Sequence, residues 1–211
     1  KSDMVFIPDP DTAIVDPFCS IPTLSMTGNA MIIDSPANRP LAQYPRNIVR
    51  AAEQYMKDCG IADTMLILPE FEFYLFDQVG WNVSPDNISA DVDAQQSYFN
   101  SDIAGNGVIV PKQKNYHIAK PFDVTYECRS EMCMHMADAG IEINYHHPEV
   151  AASGQFEIEP QLGKMSEMAD NTMWIKYIIR NTALKYGKTA TFMPKPIYGE
   201  AGSGMHVHIQ L

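Results

Sequence analysis

The stretch Leu66 to Phe76, LILPEFEFYLF, constrains this chain more than any other. At the period of a β-strand, Leu66, Leu68, Glu70, Glu72, Tyr74 and Phe76 share one face, and Ile67, Phe71, Phe73 and Leu75 share the other. Two carboxylates therefore lie on the same side of a segment apolar enough to be buried. Like charges side by side repel, and an ionised carboxylate taken out of water is costly unless something positive meets it. A fold that accepts this strand has to bring it a cationic partner.

Composition narrows what that partner is. The 211 residues are 45% hydrophobic, enough for one sizeable core, and predict one compact globular unit. A net charge of −11 argues against a nucleic-acid partner, because phosphate-backbone binders present clustered Lys and Arg. No apolar run approaches the ~20 residues that span a bilayer, and the opening KSDMVFIPDP lacks the apolar centre of a signal peptide. These features predict a soluble, cytoplasmic chain with no membrane partner. Cys19, Cys59, Cys128 and Cys133 form no CxxC pair, so neither a zinc knuckle nor a disulfide framework is indicated.

Along the chain the pattern is uneven. Residues 1–44 are Pro-rich with short apolar pieces and read as extended segments broken by turns. From Pro45, the residues Ile48, Ala51, Ala52, Tyr55 and Cys59 recur at helical spacing, with Gly60 as the stop. Residues 80–115 show little periodicity and read as loops with short strand pieces. Further helices are predicted over about residues 123–139 and 165–186, ending at Gly140 and Gly187. Within them Met132 and Met136, and Trp174 and Tyr177, read as core packing.

Two later strands carry polar faces. In GIEINYHHPEVAASGQFEIEP, Ile141, Ile143 and Tyr145 share a face in a strand running into Glu149, and beyond the AASG break Phe156 and Ile158 face opposite Gln155, Glu157 and Glu159. In SGMHVHIQL, Met205, Val207, Ile209 and Leu211 alternate with His206, His208 and Gln210. If these strands share a sheet, Glu70, Glu72, Glu149, Glu157 and His206 converge on one surface. An oxygen-rich set with one or two imidazoles suits Mg²⁺ or Mn²⁺ better than zinc. On pattern alone, a solvated sheet face is the competing reading of the same residues.

The stretch KTATFMPKPIYGEAGSGMHVH, Lys188 to His208, closely resembles the nucleotide-binding signature of bacterial-type glutamine synthetases. The resemblance extends back through ASGQFEIE, YECRSEMC, the Glu-x-Glu strand and DMVFIPDPDT, covering the chain except residues 80–115. It implies an α+β catalytic domain, with a curved, mainly antiparallel sheet flanked by helices. It also implies a reaction in which ATP, as substrate, phosphorylates the γ-carboxylate of glutamate and ammonia displaces the phosphate to give glutamine.

By that resemblance, Glu72, Glu149 and Glu157 would hold the Mg²⁺ or Mn²⁺ that supports the glutamyl phosphate, and Glu70 and His206 a second, incomplete metal site bridging the ATP phosphates. Ala201 and Gly202 would face substrate glutamate, His208 and Gln210 the nucleotide, and Tyr116 the ammonium pocket beside Glu149. The sequence departs from the family where Ala201 replaces a usual Asn, Gln210 a Ser, Pro148 a frequent His and Asn144 a common Glu. Those departures keep a glutamate–amine ligase open as a second reading, and the family parts expected outside this stretch keep open a third, a non-catalytic metal- or nucleotide-binding module. The resemblance further implies that residues 1–211 are the N-terminal portion of the catalytic domain. A β-grasp domain and a C-terminal part would lie outside them, the full enzyme would be a homo-oligomeric ring, and this portion alone would make no glutamine.

Overall fold

A computed structural model of the chain describes residues 3–34, 36–100, 102 and 107–211. Among them the order of elements is β1 (Met4–Pro8), β2 (Ile14–Val15), β3 (Leu24–Ser25), β4 (Gly28–Ile32), β5 (Arg39–Pro40), α1 (Pro45–Asp58), β6 (Leu66–Pro69), β7 (Phe71–Phe76), β8 (Gln78–Ser84) and β9 (Asn87–Asp93). Then follow α2 (Tyr126–Asp138), β10 (Ile143–Pro148), β11 (Gln155–Pro160), β12 (Gly163–Lys164), α3 (Met165–Lys185), β13 (Thr189–Thr191) and β14 (Val207–Gln210). The α+β class with antiparallel pairing and flanking helices is as expected, with the strands distributed over five sheets. All three helices stop at their expected glycines.

The described residues group into two compact units. Lys1–Leu68, Leu162–Ile175 and His208–Leu211 form one unit, and Pro69–Gln161 with Lys176–Val207 form the other. The division runs through the Leu66–Phe76 stretch, which is two strands and not one. Pro69 has no N–H for a ladder bond, and the next amide, that of Glu70, donates to the His206 carbonyl at 2.9 Å.

In the first unit, β1, β4 and β5 form one small antiparallel sheet, and β2 pairs with β3. Helix α1 is held by polar contacts. The Arg46 guanidinium donates to Asp9 and Asp170, both at 2.8 Å, and to Asn29 at 3.0 Å, while the Asn47 amide donates to the Ala30 and Leu41 carbonyls. The predicted apolar stripe of α1 faces outward: Ile48, Ala51, Ala52, Tyr55 and Cys59 are all exposed, and Met56 is the buried position. The helix period was read correctly and its inward face was not, because the inward side is defined by charge pairing that leaves no apolar period.

The second unit is built on the sheet β10-β11-β7-β13, antiparallel throughout. Every residue of β7 and β11 is buried. Phe73 packs against Phe156 and Phe192, with ring centroids 6.4 and 5.7 Å apart. On the other face Tyr74 and Phe76 stack at 5.4 Å and join a cluster with Ala94 and Ala151. Met132 and Met136 of α2 are fully buried, as expected. Helix α2 is pinned by Arg129, 1% exposed, whose guanidinium meets both carboxylate oxygens of Asp123 at 2.9 and 2.6 Å. Its Nε donates to His146 Nδ1 of β10 at 3.3 Å, and its plane lies 4.6 Å from the Phe156 ring centre.

The segment read as loop from residue 80 contains a long hairpin, β8 with β9. Cross-strand partners Val79 and Val92, Trp81 and Ala90, and Val83 and Ile88 share one face, and Ser84 and Asn87 close the turn. The alternation was present in the sequence but masked by the Asn, Ser and Asp residues between the apolar positions. Residues 101 and 103–106 of the expected loop lie outside the described residues. No helix among the described residues is long and apolar enough to cross a membrane.

Candidate active site

The acidic strand finds its setting through register. In β10-β11-β7, His147 pairs with Glu157 and Glu157 pairs with Glu72, so one imidazole and two carboxylates form a row across three neighbouring strands. Glu149 follows directly after β10, where the Val150 amide donates to its carboxylate at 2.9 Å. A break follows at Gly154, whose φ is +97° and whose missing Cβ would fall 2.6 Å from the Leu75 carbonyl. Only glycine tolerates both conditions, and the tight approach lets β11 run back beside β7.

Glu70, Glu72, Glu149, Glu157 and His206 all line one cavity of about 560 Å³, together with Tyr116, His117, Tyr145 and His147. Glu70 accepts from His206 Nδ1 at 2.8 Å, and Glu72 lies 3.7 Å from the same nitrogen. Burial pushes the Glu72 carboxyl above its ordinary range, and the charges of Glu149 and Glu157 push it further. Burial likewise raises Glu149, with Glu157 adding to it. Burial acts to lower the pKa of His147, but the nearby Glu157 carboxylate, the Pro148 carbonyl and the Glu149 carboxylate raise it overall. Contact with Glu70 raises His206. Burial is the leading cause for the two glutamates, and an excess of negative charge at the cavity adds to it and raises both histidines.

That excess tests the metal reading on this structure. Donor atoms of His147, Glu149 and Glu157 lie within 4.8 Å of one another, as do those of Glu70, Glu157 and Glu159. The donors are hard oxygens with imidazole, and the carboxylates crowd each other, so the residues fit a divalent cation of the Mg²⁺ or Mn²⁺ kind.

The remaining expected residues fall as follows. Tyr116 lies at the cavity, its ring 5.5 Å from that of His147. Ala201 and Gly202 sit on the loop before His206. The Tyr74 hydroxyl donates to the Ala201 carbonyl, and Gln155 Nε2 donates to both the Gly202 carbonyl and Glu72, each at 3.0 Å. Gly202 also has a reason internal to the loop, since a Cβ there would come 2.6 Å from the Pro194 carbonyl. His208 and Gln210 belong to the first unit and are exposed, and the cavity lining does not include them.

Sequence reasoning missed His147, Tyr145, His117, Gln155 and Glu159. For the β10 residues the signal was there in the alternation of Tyr145 and His147 leading into Glu149, although the ladder shifts register between Ile143 and Tyr145. Gln155 was noted on the polar side of its strand, but its double role depends on a loop about fifty residues away and leaves no local mark. His117 lies in no regular element.

Residues 42–211 match the family described as glutamine synthetase, catalytic domain. The chain belongs to the glutamine synthetase family. It is 42% identical to the glutamine synthetase of Pasteurella multocida (strain Pm70), covering 100% of this chain and 45% of that protein. A protein of the same similarity range, the 3-hydroxylaminophenol mutase of Cupriavidus pinatubonensis, is 40% identical over 98% of this chain and 44% of its own length. Among solved structures, the fold superposes on Plasmodium falciparum glutamine synthetase with a TM-score of 0.86 at 27% identity, covering 98% of this chain and 41% of that one. The chain thus spans about half the length of the relatives it matches.

Proposed function

We propose that the protein carrying this chain joins ammonia to the γ-carboxylate of glutamate at the expense of ATP, through γ-glutamyl phosphate. The observation that carries the reading is the convergence of Glu70, Glu72, Glu149, Glu157 and His206 on one cavity in a chain of this family. Glu72, Glu149 and Glu157 would hold one divalent cation and Glu70 with His206 a second. A bound cation there supplies positive charge to phosphoryl oxygens.

The protein's own groups prepare the rest. Glu149 and Tyr116 both line the cavity and are proposed to face an incoming ammonium ion. Gln155 ties the Glu72 carboxylate to the loop of Ala201 and Gly202, so the expected glutamate-binding loop and the acidic row hold a fixed relation. Loss of the Gln155 amide would loosen both together. His208 and Gln210 are proposed to face the nucleotide, and the working form is proposed to be a homo-oligomeric ring.

A second reading, a glutamate–amine ligase, draws on the cavity's aromatic lining by Tyr116 and Tyr145, which suits an organic ammonium ion as well as ammonium. The test is product formation from ATP and glutamate with ammonia and with a panel of primary amines, by the full-length protein carrying this chain, as wild type and as Glu149→Gln. Ammonia-dependent glutamine that disappears in the variant supports the first reading. Preference for a larger amine supports the second, and no product with any acceptor sinks both.

A further inference from the structure

We infer that His117 is a positioning residue of the cavity, holding the His147 imidazole edge-on between the carboxylates of Glu149 and Glu157. The inference rests on the metal-binding reading of that cavity for its consequence, but its geometry stands independently.

His117 has a backbone φ of +54°, a left-handed conformation uncommon for any residue with a Cβ. Its amide donates to the Pro148 carbonyl at 3.0 Å, next to His147 in the chain, so the unusual turn is anchored to β10 itself. The conformation delivers the His117 ring onto His147, with centroids 4.1 Å apart and planes 21° from parallel. Tyr145 stacks on His147 as well, at 5.7 Å and 27°, and its hydroxyl donates to Glu159.

The chemistry of imidazole makes this stacking informative. Both ring nitrogens act in the ring plane, so packing against the ring faces fixes where the nitrogens point without occupying either of them. His147 Nδ1 meets the Pro148 carbonyl at 3.0 Å and lies 3.8 Å from Glu149, and Nε2 lies 3.6 Å from Glu157. The ring is only half-constrained by those edge contacts, because two of the three exceed hydrogen-bond length. The stacked rings supply the remaining constraint. A flat ring at position 117 is therefore required, whereas its nitrogens are not.

Three variants of the 211-residue chain separate these claims: His117→Ala, His117→Leu and His117→Phe. In metal-free protein, His117→Ala is expected to shift the ring proton signals of His147 in NMR spectra through loss of the neighbouring ring current. In Mn²⁺ titrations by calorimetry, His117→Ala and His117→Leu are expected to weaken binding about tenfold, at the low end of what is lost when groups orienting metal ligands are removed, and His117→Phe to stay within about twofold of wild type. Unmoved His147 signals in His117→Ala, unchanged Mn²⁺ affinity in the same variant, or a Phe variant as weak as the Ala variant each overturn the inference. Wild-type protein that binds no Mn²⁺ overturns the inference together with the metal reading, whereas wild type that binds Mn²⁺ without a variant effect overturns the inference alone.

Discussion

Replacing Glu149 with Gln removes one negative charge from the acidic row while keeping the side-chain shape. The donor atoms of Glu149 and Glu157 lie within 4.8 Å, where two unit charges repel by about 1 kcal/mol in water and about 3.5 kcal/mol at an effective dielectric near 20. With the two side chains 12% and 9% exposed and the His147 imidazole between them offsetting part of the repulsion, a net gain of about 1–2 kcal/mol is expected for metal-free protein. For a chain of this size that corresponds to a rise in Tm of about 2–8 °C. Wild type in Mn²⁺ at a hundred times its Kd should gain about 2.7 kcal/mol, or about 5–11 °C, and the variant much less. The order of stability should therefore invert: variant above wild type in chelator, below it in saturating Mn²⁺. Thermal melts followed by circular dichroism in both conditions measure it. A variant that melts below wild type in chelator, or that keeps the full Mn²⁺ shift, refutes the reasoning.

Other perturbations probe the frame around the row. Asp123→Asn leaves the buried Arg129 guanidinium without its charge partner and should cost about 3–5 kcal/mol; a melting temperature within error of wild type would contradict this. Gly154→Ala places a Cβ 2.6 Å from the Leu75 carbonyl at a φ of +97°, so the variant should lose both stability and Mn²⁺ binding, and a variant as stable as wild type would mean the β7–β11 approach is not that tight. His147 and His206 have folded pKa values above their ordinary 6.5, so their contribution is complete below that pH and is lost as pH rises through the raised values; metal-free Tm should fall as pH rises above 6.5. His146, lowered to about 4 by burial and Arg129, contributes stability that fades as pH drops below 6.5; a melting temperature that climbs steadily above pH 6.5 would refute the assignment to His147 and His206.

What the sequence disclosed depended on the range of the interaction. Helix spans and their glycine stops are local, and α1, α2 and α3 appeared within a few residues of their expected limits. Glu70, Glu72, Glu157 and His206 were legible because each stands out among apolar neighbours in the sequence, although Glu70 and His206 lie just outside β7 and β14. Their pairing was not, since register between β10, β11 and β7 is a property of three separated segments. His117 was invisible for a related reason: its value lies in a turn conformation and a ring contact, and neither leaves a period. The inward face of α1 differs from the expectation because Arg46 meets Asp170, remote in sequence, and Asn47 meets backbone carbonyls, so neither leaves an apolar period.

The row of His147, Glu157 and Glu72 runs across the strands and not along one. Strands in any sheet sit about 4.8 Å apart, a spacing fixed by the backbone hydrogen bond. That pitch is a little more than twice the ~2.1 Å from Mg²⁺ to an oxygen ligand. Side chains lifted from adjacent strands at one register are thus already spaced for a shared small cation, with only a slight inward lean. The main chain acts here as a ruler. Loops at the cavity rim are then free to vary in length and composition, while an insertion of one residue inside β10, β11 or β7 would turn a donor to the opposite face and erase the graduation.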